Sequence, residues 1–272
     1  MEARHKPLSQ SENELATTNN NNNNNKRKKL CIGVCIAVCI AAVVLAMICI
    51  IVKYVFLTTK PGFILHPSDS LISYNSSHKD NVYITELNKF IKAYETLPSD
   101  SILCNDTTKP GPGESCQYRE EWLGGVCKKD NSWGYTINNT HPCILVTPNM
   151  VPYWVPDTYK TEEELPEEMP QYLKNNIIDS IYDVGHISKF AWVSCEVLSG
   201  EGYCSLTPWF GFPDYFFPYN TNTNYRSPVL SARVDWRGAQ KKYVKLRFQM
   251  WAKNLDPKET IQTITVEANQ SN

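Results

Sequence analysis

Val244-Lys245-Leu246-Arg247-Phe248-Gln249-Met250 alternates apolar and polar residues without a break. Successive side chains of a strand point to opposite faces. The stretch therefore sets Val244, Leu246, Phe248 and Met250 on a dry face and Lys245, Arg247 and Gln249 on a wet one. The same period recurs on both sides of it. Leu230, Ala232, Val234 and Trp236 form one set; Ile264, Val266 and Ala268 form another, against Thr263, Thr265 and Glu267. Strands dry on one face only belong to antiparallel sheets. Arg237-Gly238 and Asp256-Pro257 are turn signals between them, and Cys143-Ile144-Leu145-Val146 adds a short strand. The expected fold is mainly β, an antiparallel β-sandwich.

Upstream the period changes. Val82, Leu87, Phe90, Ile91 and Tyr94 recur mostly at three- and four-residue steps, which predicts one amphipathic helix within 81–96, ended by Leu97-Pro98. The Pro- and Gly-bearing stretch Thr58–Pro67 reads as stalk. The acidic stretch from Thr161 to Ser180, with Pro166 and Pro170, reads as a surface excursion.

Further upstream, Leu30 to Val52 is uninterrupted by any charge and follows Lys26-Arg27-Lys28-Lys29. At about 1.5 Å per residue such a helix spans roughly 34 Å, enough for a hydrocarbon core of roughly 30 Å. Cations concentrate on its N-terminal side, so the positive-inside bias puts the N-terminus in the cytosol. The run is too long and starts too late for a cleaved secretory signal. The expected plan is a disordered cytosolic tail at 1–29, a single-pass type II membrane helix at 30–52, an extracellular stalk at 53–80 and an ectodomain at 81–272. The tail carries the tract Asn19–Asn25 and few apolar residues. The expected location is the plasma membrane, in contact with lipid.

The 272 residues carry 27 Lys/Arg against 28 Asp/Glu, a near-neutral balance with no basic stripe, which argues against a nucleic-acid partner. Of the ten cysteines, Cys31, Cys35, Cys39 and Cys49 lie in the apolar run; Cys104, Cys116, Cys127, Cys143, Cys195 and Cys204 lie beyond it. An even outer set in an oxidising compartment implies a disulfide framework, although six cysteines allow 15 pairings. Neither CxxC spacing nor a His cluster supports zinc. Asn75, Asn105, Asn138 and Asn269 begin N-x-S/T sequons, all on the outer side.

No catalytic constellation emerges. His66, His78, His141 and His186 are scattered, and GxSxG, P-loop, HExxH and DxD signatures are absent. The expectation is a non-enzyme without cofactor, metal or small-molecule substrate.

The informative segments are rich in cysteine and aromatic residues. Cys116 to Cys127 contains Trp122-Leu123-Gly124-Gly125. It is followed by Gly134-Tyr135, then Pro142-Cys143-Ile144, then Gly211-Phe212-Pro213 and Phe216-Phe217-Pro218-Tyr219. In this order they resemble the β subunits of the sodium/potassium and proton/potassium ATPases. The resemblance runs through most of 81–254 and implies an immunoglobulin-like, glycosylated, disulfide-bonded ectodomain behind one membrane helix. It also implies a non-catalytic role: helping the pump's catalytic α subunit to fold, reach the membrane and cycle between its ion-bound states. The alternative is a β-like adhesion or interaction glycoprotein without a pump.

The resemblance further implies the pairs Cys104–Cys116 and Cys127–Cys143. The family's remaining bridge joins a cysteine placed like Cys195 to a late-strand position, which here is Met250. That bridge cannot form, and a soft apolar Met can fill its volume. Cys204 is unmatched, and the turn sequence Ser199-Gly200-Glu201-Gly202 suggests a hairpin bridge Cys195–Cys204.

In the family an aromatic segment helps seat the ectodomain on the α subunit. By position, Phe216, Phe217, Pro218 and Tyr219 match it, while Asn220 and Thr221 replace an expected aromatic residue and a glycine. Two readings stand, a docking surface and a packed turn of the core; Pro213 and Pro218 favour the first. The membrane helix departs from the family: its tyrosines are missing, and Cys31, Cys35 and Cys39 line one face with small side chains instead. Such a stripe admits close approach of another helix, or is simply apolar surface in lipid. Cys31, beside the cations, is also a candidate for palmitoylation.

Overall fold

A computed structural model describes residues 38–48, 60–75, 81–136, 141–149, 151–219, 225–236 and 242–269. Cys31, Cys35, Asn138 and the Arg237-Gly238 turn lie outside these residues, as does most of the predicted membrane run. The chain divides into two units, residues 1–59 and 60–272. In the first, residues 38–48 form helix α1, along which Val38, Leu45, Met47 and Cys39 are exposed. No helix of the described residues is long and apolar enough to cross a membrane.

The second unit is built on two sheets. One has the strand order β1-β5-β9-β7: Phe63–His66, Cys143–Pro148, Leu230–Asp235 and Tyr203–Thr207. The other has the order β2-β11-β10-β6-β8: Leu71–Asn75, Gln262–Asn269, Tyr243–Trp251, Phe190–Gly200 and Gly211–Pro213. The short strands β3 (Ser101–Ile102) and β4 (Ser115–Cys116) form a separate pair. The period-two sets lie where the alternation puts them: Leu230, Ala232, Val234, Val244, Leu246, Phe248, Ile264 and Val266 are all buried in one core. Phe63 and Phe248, from opposite sheets, meet with ring centroids 6.4 Å apart. The pairing is antiparallel except for β11 against β2, and β3 against β4, which are parallel.

Three expectations need correction. Residues 60–75, assigned to a stalk, contribute strand β1 to one sheet and β2 to the other. Their Pro and Gly content suggested extended linker, but Phe63, Leu65, Ile72 and Tyr74 alternate and are buried. The second correction concerns the helix count. Besides α2 (Val82–Ile91), the described part of the second unit has α3 (Gln171–Val184), inside the stretch read as a surface excursion. Leu173 and Ile177, four residues apart, bury one stripe of α3 against Trp192 and Trp251 on the outer face of the five-stranded sheet. Asn175, Asn176 and Ser180 weaken helix propensity and hid it. Gly185, at φ 79°, ends it in the left-handed conformation. Third, the buried stripe of α2 is Tyr83, Leu87 and Ile91, whereas Val82 is 68 % exposed.

Helix α2 is held at its polar side as well. Asn81 caps it by accepting from the Tyr83 N–H at 2.9 Å, and Trp133 Nε1 donates to Asn88 Oδ1 at 2.9 Å. The His66 ring of β1 stacks on Phe90 with centroids 4.2 Å apart.

Candidate partner-binding surface

The aromatic segment begins at the edge of the five-stranded sheet, where β8 pairs only with the first residues of β6. A single 3₁₀ turn, Asp214–Phe216, then carries the chain off the sheet. This turn separates the roles of neighbouring aromatics. Phe216 is buried against Tyr118, and its carbonyl accepts from Tyr225 Oη at 2.9 Å. Phe216 therefore packs into the core, where it also forms part of a cavity wall. Phe217 is half-buried and meets the Trp154 ring edge-on at 5.2 Å, Pro218 is exposed, and Tyr219 meets Tyr225 edge-on at 5.2 Å.

Phe217, Pro218 and Tyr219 open onto a cavity of about 420 Å³ that Tyr153, Tyr215 and Pro110 also line. Lys109 and Glu114 supply its charged rim. Lys109 Nζ lies 3.0 Å from Asp214 Oδ2, while Asp214 Oδ1 and the buried Ser115 Oγ have no hydrogen-bond partner among the described residues. Burial, with the charges of Asp106 and Asp214 adding to it, pushes the Tyr215 hydroxyl up to about 12. It is a neutral donor at physiological pH. A concave, mostly apolar surface with a few polar groups is suited to receiving side chains of a partner.

Tyr153 was not legible as a site residue. It occupies a turn closed by Trp154 N–H donating to the Val151 carbonyl, and its φ is 64°. A bulky residue with positive φ stores strain. Tyr153 is nevertheless 87 % exposed, so burial of its ring does not offset that strain. Pro152, just before it, bridges to Tyr219. The sequence signal was at most Pro152 preceding two aromatics; the backbone conformation has no local signature.

One of three disulfides braces this region. Cys104–Cys116, with Cα atoms 5.4 Å apart, ties the 105–115 loop beside the cavity. Cys127–Cys143, at 5.6 Å, anchors a loop onto β5. Cys195–Cys204, at 5.9 Å, joins β6 to β7. These strands belong to different sheets, so the bridge spans the sandwich instead of closing a hairpin. Gly200, at φ 94°, makes the crossing feasible: a Cβ there would lie 2.1 Å from the Tyr243 carbonyl oxygen. Met250 is fully buried beside Val193, one cross-strand pair from Cys195 and Phe248.

Of the sequons, Asn105 is exposed and its Oδ1 accepts from Thr107 N–H, Thr107 Oγ1 and Thr108 N–H in a tight turn. Asn75 and Asn269 are register partners at the ends of β2 and β11, and Asn269 Nδ2 donates to Ser73 Oγ at 2.9 Å. No group of His, Cys, Asp and Glu among the described residues could hold a metal ion.

Residues 29–267 match the model of the family described as the sodium/potassium ATPase beta chain. The chain belongs to that family. The match begins at Lys29, the last residue of the basic cluster, and ends within β11, so it includes the apolar run as well as most of the sandwich. Two relatives come from Drosophila melanogaster. Sodium/potassium-transporting ATPase subunit beta-2 is 26 % identical over 235 residues, 77 % of this chain and 70 % of that protein. Subunit beta-1 is 24 % identical over 212 residues, 72 % of this chain and 65 % of that protein.

Proposed function

We infer that this chain is a non-catalytic β subunit of a P-type Na⁺/K⁺ or H⁺/K⁺ ATPase, assisting folding, membrane delivery and modulation of the catalytic α subunit. The observation that carries the reading is the family match across residues 29–267. In this reading residues 1–29 are a cytosolic tail, 30–52 cross the plasma membrane once, and the immunoglobulin-like ectodomain lies outside with its sequons and bridges. The uncharged apolar run behind four cations supports that topology.

The α subunit would seat on Phe217, Pro218 and Tyr219, with Tyr153 beside them and Phe216 supporting them from the core. Aromatic anchors around a pocket are the usual centres of binding energy. Modulation follows if these contacts differ in strength between two pump conformations. Within the membrane, the small side chains of Cys31, Cys35 and Cys39 would offer the face for close helix approach. The family match disfavours the alternative of an adhesion glycoprotein that has lost its pump.

Co-expression with an α subunit tests this reading. Surface delivery of α and potassium-activated ATPase activity should both rise above the level with α alone. Unchanged delivery and activity would overturn it.

A further inference from the structure

The outer face of the four-stranded sheet carries a second, smaller site. Ala232 and Val234 of β9 face the core, so Arg233 between them faces outward, opposite Ser205 of β7 and Cys143 of β5. There it lines a crevice of about 250 Å³ closed by Leu123, Gly124, Gly125, Val126 and Cys127.

This crevice holds one cationic side chain and no carboxylate. Arg233 is half-buried and pairs with no carboxylate among the described residues; its one hydrogen bond is a long contact of 3.5 Å from Nη2 to Tyr203 Oη. Its Nε is fully enclosed without a partner among the described residues. The nearest acid along β9, Asp235, lies 3.9 Å from His141. Among the described residues, the backbone N–H groups of Gly125, Val126 and Cys127, which follow the 3₁₀ turn Glu120–Leu123, donate to no protein acceptor. The Leu123 carbonyl at the crevice wall already accepts from Ser231 Oγ at 2.9 Å and Thr207 Oγ1 at 3.2 Å. No Asp or Glu lines the space. A half-buried guanidinium without a counter-charge is costly, and a planar fork beside successive free amides suits an oxyanion. The Cys127–Cys143 bridge holds the amide-bearing loop against the sheet that carries Arg233.

We propose that this crevice binds a small oxyanion, a sulfate, phosphate or carboxylate group, through Arg233 and the 124–127 loop. The site accommodates the anionic group itself, either as a free ion or as the substituent of a sugar chain. It stands apart from the aromatic cavity and does not depend on pump association.

Equilibrium dialysis of the purified full-length protein against radiolabelled sulfate, at ionic strength held constant with chloride, tests it. One saturable site per chain is expected, competed by phosphate. Arg233→Gln should weaken it at least tenfold, and Arg233→Lys should weaken it less. Arg247→Gln, on the other sheet and paired with Glu196, should leave it unchanged. Ser205→Glu places a carboxylate opposite Arg233 and should abolish sulfate binding while raising the thermal midpoint, which rules out misfolding as the cause. Absence of saturable binding by the wild type, or equal binding by Arg233→Gln, overturns the proposal. A sulfated disaccharide binding more tightly than inorganic sulfate assigns the anion to a glycan; equal or weaker binding assigns it to the free ion.

Discussion

The Tyr172 hydroxyl serves both backbone groups of Cys195: it accepts from the N–H at 2.7 Å and donates to the carbonyl at 3.1 Å. The reason lies in the sheet. Strand β8 pairs with β6 only from Phe190 to Trp192, so further along β6 that edge has no strand beside it. A side chain from α3 completes the ladder there and fastens the helix to the Cys195–Cys204 bridge. Tyr172→Phe removes both bonds and leaves a largely buried N–H unpaired, a loss of about 1–3 kcal/mol. The urea midpoint should fall with an unchanged denaturant slope, and the Cys195 amide should exchange faster.

Tyr153 should respond in the opposite direction. Glycine adopts a φ of 64° without steric penalty, so Tyr153→Gly should stabilise the fold by about 1 kcal/mol. If the exposed ring is a docking residue, the same variant should recover less α subunit in co-purification. Raised thermal stability with undiminished recovery would mark the turn as strained without being used for docking.

His66 makes folding depend on pH. Burial lowers its pKa below the ordinary value of about 6.5, so the folded state favours the neutral ring stacked on Phe90. Between the lowered folded value and about 6.5 the unfolded chain binds more protons, and stability therefore rises with pH across that window. It is complete above about 6.5 and is lost as pH falls through the folded value. Urea midpoints at pH 5.5 and 7.5 should differ more in the wild type than in His66→Phe, which keeps a ring on Phe90.

The bridge between the sheets should matter more than its short loop suggests. Loop entropy alone assigns a bridge of this span about 2.5 kcal/mol. Replacing Cys195 and Cys204 together by alanine should lower stability by that amount or more, because β6 and β7 lie in different sheets. The loss is read from denaturant midpoints under non-reducing conditions. A loss well below about 1 kcal/mol would mean that the sandwich holds these strands together without the bridge.

Much of the sandwich was legible because burial on one face writes a period of two into a strand. Residues 230–236, 244–250 and 264–268 carried that pattern, and their core faces are the ones the alternation gives. Helix α3 was obscured because its stripe, Leu173, Ile177 and Ile181, lies amid Asn, Asp and Ser. The aromatic segment stood out by composition, but composition does not separate Phe216, which is buried in the core and lines the cavity from there, from the more exposed Phe217. A single 3₁₀ turn makes that distinction.

The sequence by itself determined β5, β9, β10 and β11, the apolar run and its flanking cations, the even set of outer cysteines and the family resemblance. These are local signals, carried by neighbouring residues and therefore readable in one dimension. The tertiary structure alone decided that β6 and β7 part into different sheets, that residues 63–75 supply strands to both, and that Tyr172 finishes an edge. It also decided that Tyr153 is held in a strained turn and that Arg233 shares a crevice with the 124–127 loop. Each of these depends on which distant segment lies alongside, and pairing across 20 to 200 residues is set by the closing of a shared core, which leaves no periodic mark on either partner.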